Sequence, residues 1–181
     1  MTERELIDSC LKGNSKSQHG LFEQYAGKMM TVCRRYTRDR KEAEDMLQES
    51  FIRVFSNIGQ YRFEGPLEAW IRRIVIHTAL KIIRKKIPHF TDIDDHPEAA
   101  HTIDSDALTK LSTEELLGLI AGLPDGYRLV FNLYVLEGYD HGEIAEMLNI
   151  NVATSRSQLL KARRLLKTRI ENNSKIPEKY A

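Results

Sequence analysis

Residues 143–166 of the chain read EIAEMLNINVATSRSQLLKARRLL. The stretch begins with a short helical pattern over Glu143–Leu148 and turns at residues 149–151, where Asn151 is a good helix N-cap. The longer pattern that follows has an apolar side made of Leu159, Ala162, Leu166 and Ile170. A short helix, a tight turn and a longer helix are typical of a helix-turn-helix, whose second helix enters the major groove of DNA.

The outward side of the second helix is basic. Residues 154–169 carry six Lys or Arg and no Asp or Glu, which is an electrostatic footprint for phosphate. The sector beside the apolar side holds Arg156, Ser157, Leu160, Arg163, Arg164 and Lys167. Some helix pairs of this kind are only structural, but a basic face without acids favours DNA binding.

The rest of the chain also predicts an all-α fold. Of 181 residues, 41% are hydrophobic and 29% are charged, a balance that argues against wholesale disorder. No alternating strand pattern of useful length occurs. The periodicity predicts helices over about residues 3–11, 15–36, 41–57, 67–86, 113–122, 126–136, 140–148 and 152–171.

The charge distribution predicts two small helical domains joined by a linker. The net charge is +1, yet residues 1–90 carry 17 Lys or Arg against 11 Asp or Glu. Residues 91–113 carry one base and six acids, and residues 114–181 carry nine of each. We therefore predict a domain at 1–90, an acidic linker at 91–112, a helix-turn-helix domain at 113–172 and a tail at 173–181.

Several classes of function are disfavoured. No apolar run approaches the ~20 residues of a membrane span, and the opening residues lack the pattern of a secretory signal, so we expect a cytoplasmic protein rather than a membrane protein. Only Cys10 and Cys33 occur, which excludes a disulfide framework and predicts buried small side chains.

Catalytic and metal-binding motifs are equally scarce. Phosphate-binding glycine loops, dinucleotide fingerprints and HExxH do not occur. Three histidines lie among three aspartates at a spacing that matches no ligand motif: His89, His96 and His101 with Asp92, Asp94 and Asp95. We expect no enzyme activity, catalytic residue, metal, cofactor or small-molecule substrate.

The segment 41–57 has two distinct faces. Its apolar stripe consists of Ala43, Leu47, Phe51, Val54 and Ile58, and should face the core. The opposite side holds Asp45, Gln48, Glu49 and Ile52. Taken alone, this side is either an ordinary solvated face or a surface for a partner.

The segment 67–86 also divides into two faces. The inward residues are Ile71, Ile74, Val75, Thr78 and Ile82, and another face holds Arg73, His77, Leu80, Lys81 and Arg84, with Trp70 at its edge. Four potential cations without an acid indicate phosphate contacts. In the preceding loop, Tyr61 and Phe63 either stack on unpaired bases or plug the gap between two helices.

Four motifs together resemble the extracytoplasmic-function group of bacterial sigma factors. Residues 45–51 (DMLQESF) are similar to the polymerase-binding motif and residues 63–74 (FEGPLEAWIRRI) to the minus-ten region. Residues 123–128 (LPDGYR) and the 143–166 unit resemble the fourth-region domain. Their order and spacing are highly specific, and the resemblance covers nearly the whole chain.

The resemblance implies a transcription initiation factor that binds core RNA polymerase, directs it to promoter DNA and helps to melt the minus-ten element. The expected polymerase contacts are the clamp of the largest subunit and the flap of the second-largest, and an anti-sigma factor is a further expected partner. The clamp would meet Asp45, Gln48, Glu49 and Ile52. The minus-ten element would meet Tyr61, Phe63, Trp70, Arg73, His77, Lys81 and Arg84, with an extruded base held beneath the loop 61–67. The minus-thirty-five element would meet Arg128, Thr154, Arg156, Ser157, Leu160, Lys161, Arg163, Arg164 and Lys167.

The chain departs from the family pattern at two positions. His77 stands where many relatives have Asn, which bears on the minus-ten preference and introduces a group that titrates near neutral pH. Phe55 stands in place of a family tryptophan. The acidic linker is either a mimic of nucleic acid within the polymerase or a solvated spacer.

Two alternatives remain open from sequence alone. A free-standing helix-turn-helix regulator would need only the 143–169 segment. A sigma mimic that titrates an anti-sigma factor usually carries a receiver domain, for which 181 residues leave no room.

Overall fold

The computed structural model describes residues 2–86 and 112–174, and the chain divides into two compact units, Met1–Pro88 and His89–Ala181. The regular structure of the described residues is entirely helical, so the predicted fold class is confirmed. The predicted acidic linker lies outside the described residues except for Ser112, and so does the predicted tail beyond residue 174.

Unit 1 contains four α-helices, the first three of which begin at a capping side chain. They are α1 (Glu3–Leu11), α2 (Ser15–Tyr36), α3 (Arg40–Asn57) and α4 (Leu67–Lys86), with a 3₁₀ turn at Ile58–Gln60. Thr2 and Glu5 form a capping box at α1, Asn14 caps α2, and Asp39 caps α3. These caps satisfy backbone N–H groups that a helix start leaves without partners.

The core of unit 1 lies between α2, α3 and α4. The five residues predicted for the α3 stripe are all buried. Phe51 of that stripe meets Phe22 of α2 edge to face, with ring centroids 4.8 Å apart. The predicted inner face of α3 is therefore confirmed.

Helix α4 buries a wider arc than its periodicity predicted. Leu80, expected on the basic face, is only 4% exposed, whereas Ile74 and Ile82 are half-buried. The reason is that α4 packs against both α2 and α3, so its apolar contacts extend over two sides of the helix. The placement of Leu80 on the exposed face was wrong.

Unit 2 contains α5 (Thr113–Ala121), α6 (Asp125–Phe131), a π-helical turn (Asn132–Leu136), α7 (His141–Leu148) and α8 (Val152–Ser174). The four apolar residues predicted for the inner side of α8 are all buried against the neighbouring helices of the unit. The helix predicted over residues 126–136 is present, but its last turn widens from α to π geometry.

Candidate functional site

The outer surface of α3 is defined by Asp45, Gln48, Glu49 and Ile52. Asp45 and Gln48 are exposed, Glu49 is half-buried, and the Ile52 side chain is 62% exposed. Glu49 Oε1 accepts hydrogen bonds from Nε and Nη2 of Arg53 at 3.0 and 2.7 Å, an i,i+4 pair that holds the carboxylate in place. The surface combines acidic and polar groups with one large apolar side chain that the unit does not bury.

The aromatic loop, residues 61–66, is built on the Tyr61 side chain. Tyr61 is 7% exposed, and its Oη lies 2.5 Å from the Gly65 carbonyl oxygen and 3.2 Å from Oε1 of Glu3. Its ring centroid lies 5.7 Å from that of Trp70. Burial raises the pKa of Tyr61 and the nearby Glu3 carboxylate raises it further, so the hydroxyl stays protonated and can donate.

Phe63 occupies a different position from Tyr61 in the same loop. It has a positive φ of 60° and is 40% exposed, with its ring centroid 4.8 Å from that of Tyr61. Of the two interpretations left open by sequence, the plug therefore fits Tyr61 and the exposed ring fits Phe63. The expected DNA contact by Tyr61 does not fit, because its burial leaves the ring little surface to offer.

The basic face of α4 consists of Arg73, His77, Lys81 and Arg84, all exposed. Trp70 is half-buried at its edge, as expected. Partial burial of the His77 imidazole lowers its pKa, and the positive charge of Arg73 lowers it further. His77 is therefore neutral over a wider pH range than a free histidine.

The helix-turn-helix of unit 2 is formed by α7, residues 149–151 and α8. Asp140 and Glu143 make a capping box at the start of α7, and Asn149 ends that helix in the left-handed conformation with φ 54°. The Asn151 side chain accepts a hydrogen bond of 2.6 Å from the backbone N–H of Thr154. The predicted N-cap of the second helix is confirmed, and it sets the direction in which α8 leaves the turn.

The outward side of α8 presents Arg156, Ser157, Arg163 and Arg164 as exposed residues. Leu160, Lys161 and Lys167 are half-buried beside them, and the Lys167 ammonium lies 3.8 Å from the Glu171 carboxylate. The residues predicted for the outward side of α8 therefore all lie at exposed or half-buried positions of this helix.

Two residues predicted to contact the minus-thirty-five element are buried instead. Arg128 is 3% exposed, with Nη2 donating to Oδ1 of Asp125 at 2.7 Å and Nη1 donating to the Ala121 carbonyl at 3.0 Å. Thr154 is 8% exposed in the first turn of α8. Arg128 is engaged within unit 2 and Thr154 belongs to the helix cap, so neither fits a contact with DNA in this conformation.

A cluster around His141 was missed by sequence reasoning. The His141 ring stacks on Tyr134 of the π turn, with centroids 4.5 Å apart, and its Nδ1 lies 2.9 Å from Oγ of Ser155 in α8. The Arg163 guanidinium lies over the Tyr134 ring at 5.8 Å. No spacing rule connects residues 134, 141 and 163, because the π turn is what brings Tyr134 to α7.

The electrostatics of this cluster disfavour protonation of His141. Burial lowers the pKa of His141, the charges of Arg156 and Arg163 lower it further, and Asp140 opposes them. Because the lowered pKa disfavours a charge on the His141 imidazole, the positive charge beside it is carried by the two arginines.

The remaining expectations concern the two cysteines, metal binding and membrane-spanning helices. Cys10 and Cys33 are both buried, and burial raises the pKa of the Cys33 thiol to about 12, which fits their interpretation as small core residues. Within residues 2–86 and 112–174, no group of three or more His, Cys, Asp or Glu side chains is placed to hold a metal ion. The His89–His101 group lies outside these ranges. In the same described ranges, no helix has the length and apolar character needed to cross a membrane.

Two family models match the chain, one to each unit. The model described as Sigma-70 region 2 matches residues 21–87, and the model described as Sigma-70, region 4 matches residues 113–166. Among curated proteins, the ECF RNA polymerase sigma-E factor of Haemophilus influenzae is 25% identical, over 94% of this chain and 96% of that protein. The protein of the same name in Escherichia coli is 26% identical, over 94% and 95%.

Two solved structures have a similar fold. CnrH, in complex with the cytosolic domain of CnrY, matches 94% of this chain and 98% of its own, with a TM-score of 0.50 and 17% identity. The sigma factor RpoE, in complex with the anti-sigma factor NepR from Bartonella quintana, matches 83% and 96%, with a TM-score of 0.51 and 16% identity.

A region 2 unit followed by a region 4 helix-turn-helix unit defines a sigma-70-type transcription initiation factor. Because its curated relatives match along almost the entire chain, the assignment extends to the group: the chain belongs to the extracytoplasmic-function (ECF) RNA polymerase sigma factors.

Proposed function

We propose that three surfaces of the chain each bind a different partner during promoter recognition. The outer surface of α3 binds the clamp of the largest polymerase subunit. The aromatic loop and the basic face of α4 capture the opened minus-ten element. The outward side of α8 recognises the minus-thirty-five element, while unit 2 also meets the flap of the second-largest subunit.

The observation that carries this proposal is the exposure of Ile52 on the outer surface of α3. A large apolar side chain outside the core, beside the exposed Asp45 and Gln48, is the arrangement of a protein-binding surface. Because the opposite side of α3 supplies the core of unit 1, this surface can be buried by a partner without rearrangement of the helix. Its acidic groups favour a basic partner surface.

The minus-ten role rests on Phe63 together with the cations of α4. An exposed aromatic ring stacks on an unpaired base with a free energy of about 1–3 kcal/mol, which offsets the cost of extruding that base. Arg73, Lys81 and Arg84 supply positive charge for the phosphates of the same strand. Tyr61 contributes by fixing the loop from beneath.

The minus-thirty-five role rests on the order of side chains along α8. Arg156 and Ser157 lie near the start of the helix, the part that approaches base edges in a helix-turn-helix. Lys161 and Leu160 follow, and the later Arg163 and Arg164 suit phosphates. Arg128 and Thr154 are left out of this assignment because they are buried.

An anti-sigma factor is the partner that we propose for regulation. The similar sigma factor from Bartonella quintana was solved with the anti-sigma factor NepR, and CnrH with the cytosolic domain of CnrY. The chain acts in the cytoplasm, where the polymerase and the chromosome lie. RNA synthesis remains the chemistry of the polymerase, so no catalytic residue or cofactor is assigned to this chain.

Reconstituted transcription with core polymerase tests the proposal. The full chain is expected to bind core polymerase and to direct transcripts from specific promoters. Asp45→Lys and Glu49→Lys should each weaken core binding by charge repulsion while unit 1 stays folded. Unchanged core affinity in both variants would contradict the assignment of the α3 surface. If the chain alone binds the promoter and no transcripts form when core polymerase is added, the free-standing regulator would be favoured.

A further inference from the structure

Helix α1 contacts the aromatic loop through two charged side chains that the three surfaces do not use. The Arg4 guanidinium carbon lies 4.8 Å from the centroid of the Phe63 ring, and Oε1 of Glu3 lies 3.2 Å from Oη of Tyr61. The helix itself is anchored, because Ile7 and Cys10 are buried in unit 1. Arg4 therefore reaches the loop from a helix whose position is fixed by its packing on unit 1.

The Phe63 ring depends on such contacts for its position. A left-handed backbone costs free energy for a residue with a β-carbon, and the φ of Phe63 is 60°. With 40% of the residue exposed, burial offsets this cost only in part. Two ring contacts restrain the side chain, one with the buried Tyr61 and one with Arg4. Tyr61 holds the ring from the interior of the loop, and Arg4 holds it from α1.

We propose that Arg4 is a positioning residue for opening of the minus-ten element. Its guanidinium holds the Phe63 ring in the exposed orientation in which the ring stacks on an unpaired base. A planar, weakly hydrated guanidinium is suited to this task because it stacks on aromatic faces. The inference rests on the proposed function of the aromatic loop, to which it adds a residue from a helix outside both matched regions.

Arg4→Ala in the full chain, assembled with core polymerase, tests the proposal. A cation–π contact at an exposed site corresponds to a change of about two- to fivefold. We expect the fraction of open complexes, measured by permanganate reactivity, to fall by that factor. Core affinity and binding to closed duplex should stay unchanged. Lys12→Ala is the matched control, because it removes one positive charge from the other end of the same helix and should leave opening unchanged.

A double-mutant cycle shows whether Arg4 acts through Phe63. Phe63→Ala alone should reduce opening, and Arg4→Ala should then have no further effect. An equal effect of Arg4→Ala in both backgrounds would overturn the inference, since Arg4 would then act independently of the ring. A parallel loss of core affinity would also overturn it, as a folding defect. If Phe63→Ala itself leaves opening normal, the proposed function of the loop fails and the inference falls with it.

Discussion

Replacing Ile52 by Ala tests the α3 surface without disturbing the core. The substitution removes about three carbon atoms, each worth about 0.8 kcal/mol when buried. Because 62% of Ile52 is exposed in the free protein, full burial by the polymerase would make the loss about 1.5 kcal/mol. We therefore expect roughly a tenfold rise in the Kd for core polymerase. The free energy of unfolding should change little, because the better helix propensity of Ala opposes the loss of the part of the side chain that unit 1 already covers.

The assay is a fluorescence titration of core polymerase with the labelled full chain. Leu11→Ala is the matched control: it removes the same number of carbons from a side chain that is 53% exposed, but on α1. That variant should bind core polymerase as the unmodified chain does. An Ile52→Ala Kd within twofold of the unmodified value, or an equal effect of both variants, would refute the assignment of the interface.

Four further predictions concern unit 2. Arg156→Ala should cost about 1–3 kcal/mol at one base of the minus-thirty-five element and relax preference there. Arg164→Ala should instead weaken all sequences and reduce the salt slope by about one; promoter libraries assayed with holoenzyme at two salt concentrations separate the two. Asp125→Ala removes the carboxylate 2.7 Å from buried Arg128, and should lower the free energy of unfolding by about 2–3 kcal/mol in chemical denaturation. Burial and the nearby Arg156 and Arg163 lower the pKa of His141 below its usual value, and promoter phosphates should raise it on binding; affinity should therefore rise as pH falls below about 6.5, and His141→Gln should flatten this trend at constant ionic strength.

The helices and their inner faces were predictable because local signals determine them. Predicted bounds lie within a residue or so of most observed helices, and the one cap identified from the sequence, Asn151, marks the start of α8. The two faces of α3 followed from a single period of 3.6 residues.

The remaining features depend on contacts between elements that are distant in sequence. Leu80 is buried on α4, whose contacts with α2 and α3 cover an arc wider than the predicted stripe. In the sequence, Arg128 cannot be told from a surface cation. In the folded unit it is buried because it pairs with the Asp125 carboxylate. The stacking of His141 on Tyr134 requires the π turn, whose extra residue per turn leaves no mark in apolar periodicity.

The separation of roles along α8 has a consequence for how promoter preference can change. Stability depends on the buried Leu159, Ala162, Leu166 and Ile170, whereas the base contacts that we propose lie at exposed positions such as Arg156 and Ser157. Substitutions at exposed helix positions usually alter stability by less than about 0.5 kcal/mol. A duplicated copy of this chain could therefore acquire a new target sequence through changes at two or three positions and remain folded throughout. The buried side of α8 holds the helix in place while the residues on its exposed side are free to change in evolution.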